Sequence, residues 1–596
     1  MNAHPEAASI PAMVWQRVRA RGPQTALRKK DRGIWGAVSW AELGARARRI
    51  GMALKQAGLR PGERAAVLAE AGVDWICADL GILGAGGVSV GLYPTDPAAT
   101  VAGVLRDSGA VLLFVENEEQ LDKALQVRDA CPALRRIVVF DMKGLRDFAD
   151  PMCDSLEVFA ATGDARADDW EQGLAAIGAD DLALLAYTAG ATGAPKGVML
   201  SHRNVLAVVR AAAALTGQGP GDERLAFLPL CHMAERIFGH YQALYSGTVT
   251  NLVESAETVP ENLREVRPTA MMAFPRIWAK LHSGVAIAAA GATPVQGALY
   301  RIALAAGLRA ADAALAGRRA PPWVAACGWL ARRLVLGRVR AAMGLDRLRH
   351  AHVGAAPVSP ELIRWYRALG IELLQVYGLT ECGGLLSAMP AGSARPGSVG
   401  RVVPPGEVRL SEAGEILLRG PQVCLGYWNR PDLTAAALRD GWLHTGDLGE
   451  MADGWLYLHG RTGEVLVTAG GARVAPAAIE NRLTLSPYIA DAVVVGDGRT
   501  SLSCLVMIEH DTVEAWAQGN NVAFTGFASL VAAEAVRALI GREVARLAGP
   551  GAIAAIRLID RKLEPEDPEL TPLMKLKRHV VLGQYGDLID DIYRAA

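Results

Sequence analysis

Paired cysteines are missing from this chain. Its eight cysteines (Cys77, Cys131, Cys153, Cys231, Cys327, Cys382, Cys424 and Cys504) are scattered with no CxxC pair. That excludes a thiolate zinc site and a disulfide scaffold, and suits a reducing compartment. An excess of either charge is missing too: 62 basic side chains stand against 62 acidic ones, with a pI near 7.2. A dedicated nucleic-acid binder would be basic, so that class is set aside. Long apolar runs are also lacking. The longest stretch free of charged residues, Ser283 to Tyr300, carries Pro294, several glycines and polar side chains, and makes a poor membrane span. The first residues, MNAHPEAASIPAMVWQRVRARG, have no apolar core behind a basic start, so no secretory leader is expected. A cytoplasmic protein is expected, with peripheral contact at the inner face of the membrane left open.

The 596 residues give room for about four structural units at roughly 150 residues each. Apolar residues make up 51% and charged residues 21%, an ordinary globular balance that rules out a disordered chain. From about residue 40, helical and strand patterns alternate. Residues 40–58 place apolar side chains at helical spacing and end on Gly58, a suitable stop. Arg64–Leu68 reads as a short strand, Trp75–Leu83 as a helix, and VLLFVE (111–116) and RRIVVFD (135–141) as buried strands. This alternation predicts an α/β protein with doubly wound, largely parallel sheets. A glycine-rich segment at 460–476 is the best candidate for a hinge, dividing a body of residues 1–460 from a smaller domain of residues 461–596.

Residues 301–350 depart from the neutral average, with ten Arg against two Asp. Within them Trp323, Cys327, Leu330 and Leu334 fall at helical spacing, near Arg332, Arg333, Arg338 and Arg340. A basic amphipathic helix of this kind either lies on an anionic bilayer or packs its apolar stripe on its own domain.

Chemistry concentrates in a few segments. Tyr187–Gly197 (YTAGATGAPKG) follows the apolar run LALLA. A strand, a Gly/Thr-rich loop and then a lysine let backbone N–H groups and one cation hold phosphates. The spacing of Gly190 and Lys196, with no hydroxyl after the lysine, is not that of the GxxxxGK[ST] loop. Downstream, Tyr377–Glu381 (YGLTE) ends in a carboxylate suited to Mg²⁺, and GWLHTGD (441–447) ends in Asp447, which could accept both hydroxyls of a ribose. Gly460–Arg461 and LTPLMKLKR (570–578) follow. The run of Lys575, Lys577 and Arg578 would by itself be read as a solvated face.

In this order and at these separations, the motifs resemble those of the acyl-adenylate-forming superfamily of acyl-CoA synthetases, adenylation domains and luciferases, over residues 10 to 590. FLPLCHMAER (227–236), VRPTAMMAFPRIW (266–278), VGAAPVSPEL (353–362), YGDLIDDIY (585–593) and an extra helical stretch at 284–345 are similar to the long-chain fatty acyl-CoA synthetase branch. The resemblance implies two doubly wound subdomains plus a small barrel-like subdomain in the body, and a small mobile α+β C-terminal domain. It implies a fatty acid, ATP and CoA as substrates with Mg²⁺ as cofactor, and it leaves room for a homodimer. By the same resemblance Thr188, Gly190, Thr192, Gly193 and Lys196 would cradle the β- and γ-phosphates, and Thr188 with Glu381 would hold Mg²⁺. Gly354, Ala355 and Ala356 would line the base pocket, Tyr377 would stack on adenine, and Gly378 would belong to the nucleotide site. Thr380 would reach the α-phosphate, and Asp447 and Arg461 would fix the ribose. Lys575 would bridge the carboxylate and the α-phosphate during adenylation. Gly470 and Gly471 would approach the pantetheine arm after a domain rotation. His232 would sit where acyl and thiol channels meet, with Gly383 and Gly384 bordering the acyl channel. Arg236 and Arg276 are expected to be structural, paired with acidic neighbours.

Four positions depart from that pattern. Ala189 and Ala191 stand where hydroxyl residues are usual, each removing a possible hydrogen bond to phosphate, and weaker ATP binding or slower turnover is expected. Gly463 replaces the Asp or Lys two residues after the hinge arginine, and Leu573 stands where a hydroxyl is common. Two other readings stay open: transfer of the acyl group to a carrier-protein phosphopantetheine, and a non-catalytic acyl- or nucleotide-binding relative.

Overall fold

The computed structural model describes residues 6–594, apart from 165–168, 191–192, 357, 394, 550, 565–566 and 572–575. Three sheets build the body. The first has eight strands, with Val88–Leu92, Arg64–Leu68, Leu112–Val115, Arg136–Val139 and Cys153–Ser155 running parallel. Leu182–Gly190 continues it beside Val88–Leu92, and Gly193–Ser201 and Gly426–Tyr427 close the edge antiparallel.

Apart from Ser89 and the leading Arg64 and Arg136, the strands Arg64–Leu68, Val88–Leu92, Leu112–Val115 and Arg136–Val139 are apolar because both faces are covered. Ala65, Val67, Leu112 and Phe114 join one core with the helices Trp40–Gln56 and Val73–Gly84. Ala66, Leu68, Leu113 and Val115 face the other way, onto the helices Ala98–Ser108 and Glu118–Val127. This is the doubly wound arrangement that the alternation predicted. Ser39 and Glu42 form a capping box that starts Trp40–Gln56, satisfying N–H groups that a helix start otherwise leaves orphaned.

The second sheet has nine strands. At its centre Glu223–Ala226, Ala270–Ala273, His350–Val353 and Leu373–Tyr377 are parallel, so their C-terminal ends lie along one edge. Such an edge is where open α/β sheets bind ligands. The third sheet is antiparallel, with Glu407–Leu410, Glu415–Arg419, Leu438–Arg439, Trp442–Ala452 and Trp455–Arg461. The C-terminal domain packs helices on a three-stranded sheet of Ile489–Val495, Ser503–Ile508 and Ala555–Leu558.

The helical stretch begins with Pro275–Ala290 and continues through Pro294–Leu315 and Pro322–Ala331 into a wide π-helical turn, Arg332–Leu336. Its apolar stripe faces outward. Trp323 is 65% exposed, Leu330 49% and Leu334 55%, and Cys327 is exposed as well. The inward face consists of Val324, Gly328 and Ala331. A Cβ on Gly328 would lie 2.7 Å from that of Ala310, so the two helices meet through their smallest residues. No helix among the described residues is long and apolar enough to cross a membrane.

Candidate active site

A cavity of about 2490 Å³ runs along the strand ends and between body and C-terminal domain. Ordinary small-molecule pockets measure about 300–1,000 Å³, so this one has room for several substrate parts at once. Its polar end is built from the sequence motifs. Leu182–Gly190 and Gly193–Ser201 form a β-hairpin in which Thr188 pairs with Lys196 across the ladder, and Gly190 pairs with Gly193 near the tip. Thr192 and Ala191 lie outside the described residues, as do the side chains at 189, 190, 193 and 194.

Lys196 reaches a residue that the sequence did not single out. Its Nζ donates to the Tyr427 hydroxyl at 3.0 Å, sits 4.2 Å from the ring centroid, and is 3.6 Å from Glu381 Oε1. The Tyr427 hydroxyl in turn donates to Glu381 Oε1 at 2.7 Å. Burial, and then the adjacent Glu381 carboxylate, raise the Tyr427 phenol far above its usual range, so it stays protonated as that donor. Tyr427 belongs to the edge strand Gly426–Tyr427, far along the chain from Lys196, and no local spacing marks it.

Thr188 Oγ1 is buried with no hydrogen-bond partner, and it lines the same cavity as Glu381. An orphaned hydroxyl and a carboxylate on the wall of one cavity fit a hard cation that takes oxygen ligands. Among the described residues no cluster of three or more His, Cys, Asp or Glu could hold a metal alone. A cation here would need oxygens from a substrate.

Asp447 and Arg461 are brought together by the hairpin of Trp442–Ala452 and Trp455–Arg461, where they stand directly opposite. Arg461 Nε donates to Asp447 Oδ1 at 3.0 Å, and the Tyr377 hydroxyl donates to Oδ2 at 2.6 Å. Burial, with Asp447 beside it, keeps the Tyr377 phenol protonated. Burial opposes the charge on Arg461, yet the Asp447 carboxylate outweighs it and holds the arginine above its ordinary value.

Gly378, Thr380, Ala355 and Ala356 line this part of the cavity. Gly378 is required by a close approach: a Cβ would lie 2.3 Å from the Gly384 carbonyl carbon. Gly384 is on the cavity wall, whereas Gly383 is turned toward Val208 and Ile237. Gly354 is packed against Val376 and Met272, behind the wall.

The apolar end is reached past His232, which stacks edge-on against Phe274 at 5.2 Å and accepts from the Ala234 N–H at 3.2 Å. Beyond it the helix Pro275–Ala290 lines the cavity through Ile277, Leu281, Gly284, Val285 and Ile287, with Met343 opposite.

Arg236 is fully buried in an ion pair with Asp79, and its guanidinium also donates to Ser89 Oγ at 2.5 Å. Tyr241 donates to the other Asp79 oxygen at 2.6 Å. This pair anchors the π-helical segment Ala234–Tyr241, which begins where the His232 wall ends. Arg276 pairs with Glu509 of the C-terminal domain at 3.6 Å. Asp96, also on the cavity wall, is pushed up to about 6 by burial, partly offset by the Tyr93 N–H and by Lys577 and Lys123.

Lys575 lies outside the described residues. Its flanks are held in place: Leu570 and Leu576 pair across an isolated bridge, both on the cavity wall, and the Leu576 N–H donates to Asp491 Oδ2 at 2.9 Å. Arg578 is tied to Glu480 and the Val494 carbonyl, so that end of the basic run is not a freely solvated face. Gly470 and Gly471 stand on the surface, where a Cβ would meet no atom within 4 Å, and neither lies on the cavity wall.

Residues 14–428 match the AMP-binding enzyme family, and residues 463–596 match the AMP-binding enzyme C-terminal domain. The chain is 31% identical over 605 aligned residues to the long-chain-fatty-acid–CoA ligase FadD15 of Mycobacterium bovis, covering 98% of this chain and 97% of that one. It is 28% identical to the long-chain-fatty-acid–CoA ligase ACSBG2 of Xenopus laevis, covering 99% and 84%. Among solved structures, the anthranilate CoA ligase AuaEII in complex with anthranoyl-AMP superposes with a TM-score of 0.72 at 20% identity, covering 99% of both chains. The A-PCP didomain of the carboxylic acid reductase from Segniliparus rugosus, in complex with AMP, superposes with a TM-score of 0.74 at 22% identity, covering 99% and 82%.

Proposed function

The chain belongs to the AMP-binding enzyme family, and from that premise we propose that it is an ATP-dependent fatty acyl-CoA ligase acting on medium to long acyl chains. One observation carries the reading: a single cavity joins the polar groups Lys196, Glu381 and Asp447 to the apolar wall of Pro275–Ala290. A nucleotide and a hydrocarbon tail can therefore meet in it.

The chemistry has two steps. A fatty carboxylate oxygen attacks the α-phosphorus of ATP, the bond to the β-bridging oxygen breaks, and pyrophosphate leaves. The sulfur of CoA then attacks the acyl carbon, the bond to AMP breaks, and the thiol proton passes to solvent. The first step brings two anions together, so catalysis rests on positioning and charge neutralisation. Lys196, Thr192 and the backbone at Gly190 and Gly193 hold the terminal phosphates. Asp447 and Arg461 fix the ribose, Tyr377 and Gly378 face the adenine beside Ala355 and Ala356, and Thr380 reaches the α-phosphate. Thr188 and Glu381 would hold Mg²⁺, which when bound would neutralise phosphate charge. Lys575 supplies the cation where carboxylate and α-phosphate approach. Gly470 and Gly471 meet the pantetheine arm only after the C-terminal domain has turned.

Fatty-acid-dependent ATP–pyrophosphate exchange with oleate, octanoate and benzoate, followed by CoA addition and thioester detection, tests this. Exchange with oleate and a CoA-dependent thioester are expected. Exchange without thioester would transfer the assignment to carrier loading, and no exchange from folded, ATP-binding protein would remove the ligase reading.

The Arg-rich segment supports a second element of the proposal, peripheral contact with an anionic bilayer. Eight of the fourteen large exposed hydrophobic residues among those described lie between Ile287 and Leu334. They share that segment with the surplus of arginine, the combination that seats a helix in a lipid interface. Trp323→Ser with Trp329→Ser should lower co-sedimentation with phosphatidylglycerol vesicles, and unchanged binding would exclude the contact.

A further inference from the structure

A second cleft, of about 520 Å³, lies apart from the active-site cavity, where the helical insertion meets the Leu369–Gly370 turn of the body. Ala310, Ala311 and Ala314 form one wall, which leaves it roomy. Arg332, Arg340 and Arg367 also line it. Their charges are compensated unequally. Arg340 is spent on neutral acceptors, the carbonyls of Leu345 and Leu348 at 2.7 Å each and of Gly370 at 3.3 Å. Asp346 attracts Arg340, but its oxygens are held by Arg267. Arg367 pairs with Glu372 at 2.8 Å. The Arg332 side chain has neither an acidic partner nor a hydrogen bond among the described residues, and the charge that acts on it is the like charge of Arg367.

An arginine is never discharged in a protein, so a half-buried guanidinium repelled by another on the same cleft is unfavourable until an anion arrives. Burial, and then Arg367, hold the Arg332 guanidinium below its ordinary value, in keeping with that cost. The side chain is also held in place. A Cβ on Gly370, whose φ is +83°, would lie 3.1 Å from Arg332 Cδ, so the turn makes space for the arginine stem. The wide π-helical turn begins at Arg332 itself, and such turns often mark functional positions.

We propose that this cleft is an anion site that takes a phosphate group, received by the planar donor forks of Arg332 and Arg367. Guanidinium forks match phosphate oxygens bidentately, and Arg332 has every donor available for the purpose. The same chemistry could be offered by a soluble phosphate or by the headgroup of an anionic lipid, and the site stands whichever supplies it.

Thermal unfolding of the full-length protein in inorganic phosphate, against chloride of equal ionic strength, tests the soluble source. Co-sedimentation with phosphatidylglycerol vesicles tests the lipid source. Arg332→Gln removes the unpaired charge, Arg332→Lys keeps the charge without the fork, and Lys196→Ala removes a phosphate contact in the active site. The expected results are that Arg332→Gln unfolds no lower than the parent in chloride, because a repulsion has gone, and that it loses phosphate or vesicle affinity roughly tenfold or more, the size of one charge-assisted pair. Arg332→Lys should fall between, and Lys196→Ala should retain the component that depends on Arg332. A loss confined to phosphate assigns the soluble source, and a loss confined to vesicles assigns the lipid. If Arg332→Gln matches the parent in both assays, or if Lys196→Ala abolishes the whole phosphate response, the site does not exist.

Discussion

Asp447→Asn is the sharpest probe of the nucleotide site, because the neighbours of this carboxylate fix what the amide must do. A carboxylate offers about four lone-pair sites. Arg461 Nε takes one on Oδ1 at 3.0 Å and the Tyr377 hydroxyl takes one on Oδ2 at 2.6 Å. Two remain, one for each ribose hydroxyl. Arginine has donors only, so in the variant the amide oxygen must stay on the Arg461 side. The NH₂ group then replaces Oδ2, beside Tyr377, whose oxygen can accept from it. One ribose hydroxyl therefore loses its acceptor, and the Tyr377 hydroxyl turns from donor to acceptor at this position. A hydrogen bond to a charged group contributes about 1.5–3 kcal/mol, so kcat/KM for ATP should fall roughly 10- to 150-fold. The assay is fatty-acid-dependent pyrophosphate exchange with ATP, 2′-deoxy-ATP and 3′-deoxy-ATP, giving a cycle between enzyme and substrate changes. The parent should discriminate against both analogues, and the variant should lose discrimination against one of them. If parent and variant discriminate against both analogues equally, Asp447 does not hold the ribose.

Three more expectations follow from the same structure. Lys575→Ala should reduce pyrophosphate exchange at least a hundredfold while leaving thioester formation from supplied acyl-AMP in place; equal loss of both would show that this lysine does not serve the first step alone. Asp79→Asn should lower stability by about 3–5 kcal/mol in urea unfolding, since Arg236 and Asp79 are both fully buried and one charge would be left alone; a change below about 1 kcal/mol would mean the pair does not anchor the π-helical segment. For Asp96 the sign runs against the usual carboxylate: its folded value near 6 lies above the ordinary 3.8, so the folded state holds its proton more tightly and this group removes stability as pH rises from about 4 to 6. Asp96→Asn should match the parent at pH 4 and exceed it at pH 7 by at most about 3 kcal/mol, read as a difference in melting temperature; a gap that does not change with pH would refute the burial account.

The sequence pattern located elements where one physical requirement dominated. Arg64–Leu68 is a strand with the predicted bounds, and 111–116 and 135–141 contain the strands Leu112–Val115 and Arg136–Val139, because a strand covered on both faces is apolar over nearly all its length. Asp447 and Arg461 were legible as motifs, and the hairpin that makes them opposite neighbours is short enough to follow from the strand lengths. Tyr427 was not legible: it reaches Lys196 and Glu381 through an edge strand paired across more than two hundred residues, and nothing in its neighbourhood distinguishes it. The Asp79–Arg236 pair was legible only as an expectation that Arg236 has an acidic partner, with the partner itself set by tertiary packing. The insertion exposes a further limit of periodicity. Trp323, Cys327, Leu330 and Leu334 share one helical face, and Val324, Gly328 and Ala331 share another. Spacing alone cannot say which face turns inward; the close approach of Gly328 to Ala310 decides it, and the large side chains are left outside.

The contact between body and C-terminal domain can be weighed in the same way. Arg276 begins the helix Pro275–Ala290 that forms the apolar wall, and it meets Glu509 at 3.6 Å with the two side chains 36% and 31% exposed. At that distance and exposure an ion pair contributes about 0–1 kcal/mol. The buried pair of Asp79 and Arg236 is of a different kind: both groups are sealed from water and neither can leave without stranding the other. The strong pair lies inside the body, beneath the wall that must keep its shape, and the weak one lies across the boundary that must open if Lys575 is to withdraw and the thiol is to enter. The Arg276–Glu509 pair adds little resistance to turning of the C-terminal domain, whereas a pair such as Asp79–Arg236 in its place would fix a single orientation. The strengths of the two pairs are therefore those that the proposed rotation of the C-terminal domain asks for, a strong pair inside the body and a weak one across the boundary.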